Sequence, residues 1–437
     1  MRLPLLALVC LPAIAAAEPP RLTLDQVIEK ALAGPKARMA RGDRDAAAAR
    51  IDEANAARLP RIKATAFGTI SPNITCIDPA CDQTSPKNFA LRFDGVFGGA
   101  QLDITQPLYT FGKIAHARSA ARAGLDAQQA LADETAGDLA VDAARAYWGI
   151  KIARELGYML DDGIDEITKA LAKIDERNAD KPDVSIQDRQ RVAVLLAEAR
   201  VQRADAMMGE TQALAGLRAL VGATDVDVDN DELAAVTRAI PATASGQQRP
   251  QARAAASGAT AADELAEMAA AYYYPDIALV GSAVIARATG VQDPPSAFAN
   301  DPFNRSGAGL VLAMQWTFEP WNVAAKVSRA RAEASKAHAL AELAALGASY
   351  DAQTALAEAT ASFAKVTAAA DGEKAARTWL ASVLQADAIG TAEAKDLADA
   401  YIAWFTMRAR WVQAVFQWNV AVIRLDRAAG LLRAARK

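Results

Sequence analysis

Histidine is nearly missing, with two in 437 residues, and cysteine is scarce, with three. His116 and His338 both lie inside helical patterns, and no zinc spacing appears, so no metal centre is expected. Charge of one sign is also lacking. The formal net charge is −4, moving to −5 once Arg2 is removed with a leader, which argues against a nucleic-acid partner. Past the first residues no run of eighteen or more apolar side chains occurs, so no membrane-spanning helix is expected. There is no nucleophile elbow, no phosphate loop and no convincing acid/base pair. The sequence therefore points to no catalytic residue, no enzyme and no cofactor.

What is present begins with a leader. Residues 1–17 read as a secretory signal: Arg2 supplies the positive region, Leu5 to Leu11 the apolar core, and Ala15-Ala16-Ala17 a small-residue cleavage site. Cys10 does not sit in a lipobox, because Val9 stands where a small residue is needed. The other two cysteines, Cys76 and Cys81, fall in a stretch rich in Pro, Asp and Asn. In an oxidising compartment a local disulfide is their expected state, stiffening a loop tip rather than holding the fold. An exported chain with half-apolar strands and no spanning helix is either periplasmic or inserted as a β-barrel.

The most informative stretch runs from Gln106 to Lys113, Gln-Pro-Leu-Tyr-Thr-Phe-Gly-Lys. Before it, Gln101, Asp103 and Thr105 alternate with Leu102 and Ile104, a period of two that gives a strand one wet and one apolar face. Pro107 lacks an amide proton and suits the end of a ladder. After Gly112 the pattern becomes an Ala-, Arg- and Asp-rich helix of roughly 100 Å at about 1.5 Å per residue. The octapeptide resembles the Q-P-L-[FY]-x-x-G-[KR] signature of TolC-like outer membrane efflux proteins. Gln106, Pro107, Tyr109 and Gly112 carry that resemblance, and Ala-Arg-Ala-Tyr147-Trp148 resembles a second family stretch.

The chain divides into two similar halves. Residues 18–222 form a first repeat: a helix interrupted at Gly34-Pro35 with Thr23 and Gln26 as a capping box, strands at about 61–70 and 99–108, and a helical hairpin at about 113–222. Between the strands lies a long loop, 71–98, holding the two cysteines. Residues 223–248 read as a linker. Residues 249–437 repeat the plan, with strands at about 276–286 and 307–317 and a hairpin at about 322–430. The second corner, Gln315 to Trp321, lacks the Pro and Gly of the first at the matching places. Gln106 and Gln315, Pro182 and Gly390, and Gly222 and Gly430 pair at offsets of 209, 208 and 208.

Four strands cannot close a membrane barrel, whose smallest forms have about eight, and open edges do not persist in lipid. The resemblance implies a homotrimer in which three chains share one twelve-stranded barrel, continued by a periplasmic barrel of helices. It further implies an exit duct for an efflux pump or a type I secretion system. A periplasmic adaptor protein, an inner-membrane transporter and outer-membrane lipid would be the partners. An adaptor also carries a helical hairpin, but a single one flanked by other domains, so it is the alternative reading. An exported enzyme or binding protein on a helical scaffold would have to explain four alternating strands that each abut a long helix.

After the second hairpin turn, Glu393, Asp396 and Asp399 recur every third position on one side of a helix. Gly-Thr-x-x-x-x-Asp-Leu-x-Asp-Ala resembles the family's hairpin tip, where two aspartates line the periplasmic entrance. The resemblance assigns that role to Asp396 and Asp399, with Asp188 as the equivalent in the first hairpin. Acids in a first helical turn are also favoured simply by the dipole, by about 0.3–1 kcal/mol each. Asp387 and Ala392 occupy the positions where the family carries its closing contacts, so those contacts are expected to differ here.

Overall fold

The computed structural model describes residues 20–76, 89–180, 186–289, 304–389, 391 and 394–432. The expected signal segment and Cys81 lie outside the described residues, so the Cys76–Cys81 pairing does too. In chain order the elements are β1 (Arg21–Leu22), α1 (Leu24–Ala33), α2 (Pro35–Ala56), β2 (Arg61–Cys76), β3 (Phe89–Tyr109), α3 (Lys113–Asp180), α4 (Ile186–Val221), β4 (Asp227–Val228), α5 (Pro250–Ala271), β5 (Asp276–Ala288), β6 (Arg305–Gln315), α6 (Pro320–Ala388) and α7 (Ala394–Ala428). The internal repeat is metric as well as sequential. Helices α2 and α5 have 22 residues each, α3 and α6 have 68 and 69, and α4 and α7 have 36 and 35.

The contacts divide into two compact units. One is drawn from Met1–Asp43, Gln129–Arg253 and Leu343–Lys437, the other from Arg44–Gln128 and Ala254–Glu342.

The second unit holds a four-stranded, wholly antiparallel sheet in the order β2-β3-β5-β6. Its register unites the four alternating patterns. Ile62 lies opposite Ile104, Ile104 opposite Gly281, and Gly281 opposite Leu310; Ala64, Leu102, Ala283 and Ala308 form the next such row. One face is therefore apolar across all four strands, and it is bare: Ile62 is 68 % and Leu310 71 % exposed. The other face carries Lys63, Thr65, Gln101, Asp103 and Ser282, with Lys63 opposite Asp103. Among the described residues the outer edges of β2 and β6 have no partner strand.

Strand limits differ from the sequence expectation. The first pair reaches well past 61–70 and 99–108, because Asn73–Cys76 pairs with Phe89–Arg92 inside what reads as loop. Pro72 concealed this continuation. It lacks an N–H, and the ladder slips there by a bulge between Ser71 and Asn73, which an edge strand tolerates. Strand β5 runs two residues beyond 286, while β6 ends at Gln315, two short of 317. Helix α6 begins at Pro320 rather than 322 because proline suits a first helical position.

In the first unit the long helices bury an apolar core. Val27 and Ala31 of α1 pack with Ala143, Ala144, Tyr147 and Ile150 of α3, Leu217 of α4, and Val412 and Val415 of α7. The capping box forms, with Thr23 N–H donating to Gln26 Oε1 at 3.1 Å. Residues 223–248 are more than the linker their composition suggests. Asp227–Val228 pairs in parallel with Arg21–Leu22, and Val226, Val228 and Leu233 are buried in the same core. Three residues of α3, at i, i+4 and i+7, pin this strap: Tyr147 donates to Asp229 (2.6 Å), Lys151 to Asp229 and the Asp231 carbonyl (2.5 and 2.7 Å), and Arg154 to Asp227 (2.8 Å). Burial and the bonded Asp229 push the Tyr147 hydroxyl up, so it stays a donor. From α7, fully buried Asn419 donates to the Ala234 carbonyl and accepts from Val236 N–H, at 2.8 and 2.9 Å, and Trp418 donates to the Val236 carbonyl at 2.8 Å. An acidic Ala/Thr/Ser-rich stretch looks like tether because its anchoring groups sit on helices far away in sequence.

Candidate functional site

The strand-to-helix corner is the first place where sequence-selected residues converge. Strand β3 ends at Tyr109 after a register shift between Pro107 and Tyr109, which places Pro107 at a bulge rather than in regular ladder. The chain then turns through Phe111 at φ 49° and Gly112 at φ 93°, both left-handed, before α3 starts. Gln106 Nε2 donates to the Arg58 and Pro107 carbonyls at 2.7 and 2.8 Å, tying β3 to the end of α2. Lys113 Nζ donates to the Tyr274 carbonyl at 3.0 Å and to Asp276 at 2.8 Å, tying the start of α3 to the α5–β5 junction. Its ammonium lies 5.1 Å from the Tyr272 ring centre. Phe111 stacks on Tyr274 at 5.3 Å and meets Tyr109 edge-on at 4.6 Å. The signature is thus a joint between the two halves. The motif resemblance did not indicate what Lys113 binds, because its partners sit some 160 residues away.

The second candidate lies at the hairpin tips. Asp396 falls in the first turn of α7, Asp399 one turn along, and both are exposed. The residues between and after them point inward: Leu397 is half-buried, and Ala398 and Ala400 are buried. Among the described residues neither aspartate has an ion pair, so both carboxylates are free to meet a cation. Asp188 falls in the first turn of α4, with its side chain outside the described residues, as are Glu393 and Ala392. Thr391 closes the end of α6, its N–H and hydroxyl both donating to the Ala386 carbonyl, at 2.9 and 3.1 Å.

Behind the aspartates, α7 is held by Tyr401 and Trp404, which the sequence marks as packing residues, and by groups that it leaves unmarked. Phe405 stacks with Tyr401 at 6.1 Å and meets Trp404 at 4.9 Å. Its ring lies against Gly163 of α3 so closely that a Cβ there would collide with it. Trp404 Nε1 donates to Glu373 of α6 at 3.4 Å, and Arg408 pairs with Glu155 of α3 at 2.5 Å while its guanidinium lies over Trp411 at 4.6 Å. Tyr401 keeps its proton more tightly than a free phenol, because burial and the nearby charges of Glu166 and Asp387 all oppose ionisation. Gly163 was the readable clue, a helix-interior glycine that needs a packing reason.

The family model for outer membrane efflux proteins matches residues 27–223. No curated protein sequence matches. Several solved structures share the fold over nearly the whole chain. The open state of the MtrE outer membrane channel of Neisseria gonorrhoeae is 19% identical, with a TM-score of 0.75, covering 96% of this chain and 92% of that one. The CmeC outer membrane channel of Campylobacter jejuni is 15% identical, with a TM-score of 0.75 over 100% and 95%. The outer membrane protein VceC of Vibrio cholerae is 17% identical, with a TM-score of 0.75 over 93% and 96%. Residues 27–223 thus match the outer membrane efflux protein family by sequence, and nearly the whole chain shares the fold of these outer membrane channels.

Proposed function

We infer that this protein is a passive exit duct in the outer membrane, assembled as a homotrimer and fed by an inner-membrane transporter through a periplasmic adaptor. The observation that carries the reading is the sheet: one continuous, bare apolar face, a second face that is polar on β2 and β3, and two edges unpaired among the described residues. Such a sheet is stable in neither water nor lipid alone. Further copies pairing β6 of one chain with β2 of the next close the edges, turn the apolar face to lipid and leave the polar face lining water. Light scattering on detergent-extracted protein tests this. A trimer is expected, and a folded, stable monomer would sink the reading.

In such a trimer the freely exposed Asp396 would be present three times at one level, with Asp399 one turn along. At about 5 Å and an effective dielectric near 20, each added unit charge acts with about 3 kcal/mol, enough to favour multivalent cations. Planar-bilayer recordings are expected to show a cation-selective channel blocked by multivalent cations from the side facing the helices. Replacing both aspartates with Asn should relieve the block and leave the trimer intact. Equal block in the double variant would reduce these acids to helix-end decoration.

A further inference from the structure

Nearly every arginine that the first unit buries has a carboxylate: Arg249 with Glu134 and Asp351, Arg154 with Glu210 and Asp227, Arg408 with Glu155. Near the first corner the pattern fails. Arg118 and Arg122 stand one turn apart on α3, whose first turn holds no acid to offset them. Arg58, just past α2, is drawn to the same corner by the bond from Gln106 to its carbonyl. Among the described residues none of the three guanidiniums makes an ion pair, and Arg118 Nε is buried with no hydrogen-bond partner at all. The Arg118 guanidinium holds its proton less tightly than usual, through burial and through the like charges of Arg58 and Arg122.

Side chains on a helix lean toward its N-terminus. On α3 that direction is the corner, where the chain passes from sheet to helix. Exposed aromatic side chains gather at these strand ends: Tyr109, Trp316, Phe318 and, at 83 % exposure, Trp321. Aromatic girdles of this kind mark the polar boundary of a membrane barrel, where headgroup phosphates lie. A guanidinium fork matches the oxygens of a phosphate two at a time, and neighbouring forks that make no ion pair leave donors for such an anion.

We propose that Arg58, Arg118 and Arg122 form a binding site for a phosphate-bearing anion at the strand-to-helix corner. The ligand is either a phospholipid headgroup or a free phosphate; only the lipid source rests on the outer-membrane reading.

The test uses the full-length protein in detergent. In the first arm the thermal midpoint of delipidated protein is followed in inorganic phosphate against chloride of equal ionic strength. A phosphate-specific rise is expected for the wild type, with apparent phosphate affinity falling at least tenfold in Arg118→Gln/Arg122→Gln and unchanged in Arg329→Gln, an exposed control on α6. In the second arm native mass spectrometry counts phospholipids retained after extraction. Retained phospholipid that the double variant loses identifies a headgroup as the ligand; phosphate binding without retained lipid identifies the free anion. The wild-type comparison of phosphate with chloride stands even if the variant misfolds. A wild type that neither responds to phosphate nor retains phospholipid overturns the proposal. So does a double variant that loses the trimer while binding phosphate as before, since a second copy's carboxylates would then cover the cluster.

Discussion

At the first corner the backbone turns through Phe111 and Gly112, both at positive φ; at the second, from Gln315 to Trp321, no residue leaves the ordinary region. The first is held from outside, by Gln106 on Arg58 and Lys113 on Asp276 and Tyr274. The second holds itself: Pro320 opens α6 with its φ already helical, Asn322 donates to Glu319 at 2.8 Å, and Trp316 meets Phe318 edge-on at 4.9 Å. Two halves with matching element lengths thus make the same strand-to-helix passage by different chemistry. The first corner faces neighbouring strands on both sides of β3, while the second follows the edge strand β6. An interior corner has a neighbouring strand of its own chain on each side; an edge corner has one on a single side and relies more on local rigidity.

At the far ends of the hairpins the halves agree. Gly222 and Gly430 sit at φ 71° and 72°, and in each case the following N–H returns five residues to a helix carbonyl, Ala223 to Arg218 at 3.2 Å and Leu431 to Asp426 at 2.9 Å. They differ only in surroundings, and that offers the sharpest break of the likeness. A Cβ at Gly430 would lie 2.5 Å from the Gln248 carbonyl oxygen, whereas at Gly222 it meets only Pro35 at 3.5 Å. Gly430→Ala should cost about 2–4 kcal/mol, the left-handed strain plus the clash. Gly222→Ala should cost only the strain, about 1–2 kcal/mol. Thermal melts of the two variants followed by circular dichroism check this; equal losses would mean the strap around Gln248 yields freely.

The corners come next in size. Gly112→Ala should cost about 1–2 kcal/mol, because its Cβ meets the movable His116 ring rather than backbone. Lys113→Met should cost about 1 kcal/mol, since Asp276 can turn to solvent once the ion pair is gone; chemical denaturation reads it. A neutral Lys113→Met would show that the joint between the halves rests on the Phe111–Tyr274 stack instead. The smallest effect is expected at the self-held corner, where Pro320→Ala should cost about 0.5 kcal/mol by loosening the unfolded chain. A loss there as large as that of Gly112→Ala would erase the distinction between an interior and an edge corner.

Much of the fold was legible because it is periodic. The alternation of Ile62 and Leu102 with polar neighbours is a local pattern, and so is the helical run after Lys113. Where the reading failed, a local signal pointed the wrong way. The stretch 71–98 read as loop although the β2–β3 ladder continues into it past Pro72, and the Ala/Thr/Ser composition of 223–248 looked like tether although Tyr147, Lys151, Arg154 and Asn419 clasp it. Of the candidate site, Asp396 and Asp399 were selected by the resemblance of their hairpin tip, since their spacing alone fits ordinary helix-end acids equally well. The groups that hold their helix, Phe405 against Gly163 and Arg408 on Glu155, were not. Each joins residues 240 or more positions apart, and no spacing within one helix announces such a partner.

By itself the sequence determined the repeat, the type and order of nearly every element, and the two-faced character of the first strand pair, because these follow from periods of two and 3.6 and from residues that control φ. Only the tertiary structure decided the register that lines four apolar faces into one, the clasping of the strap, and which arginines, Arg58, Arg118 and Arg122 among them, make no ion pair among the described residues. These depend on which side chains meet across long separations, and meeting is settled by packing and charge pairing in space rather than by the neighbours a residue has along the chain.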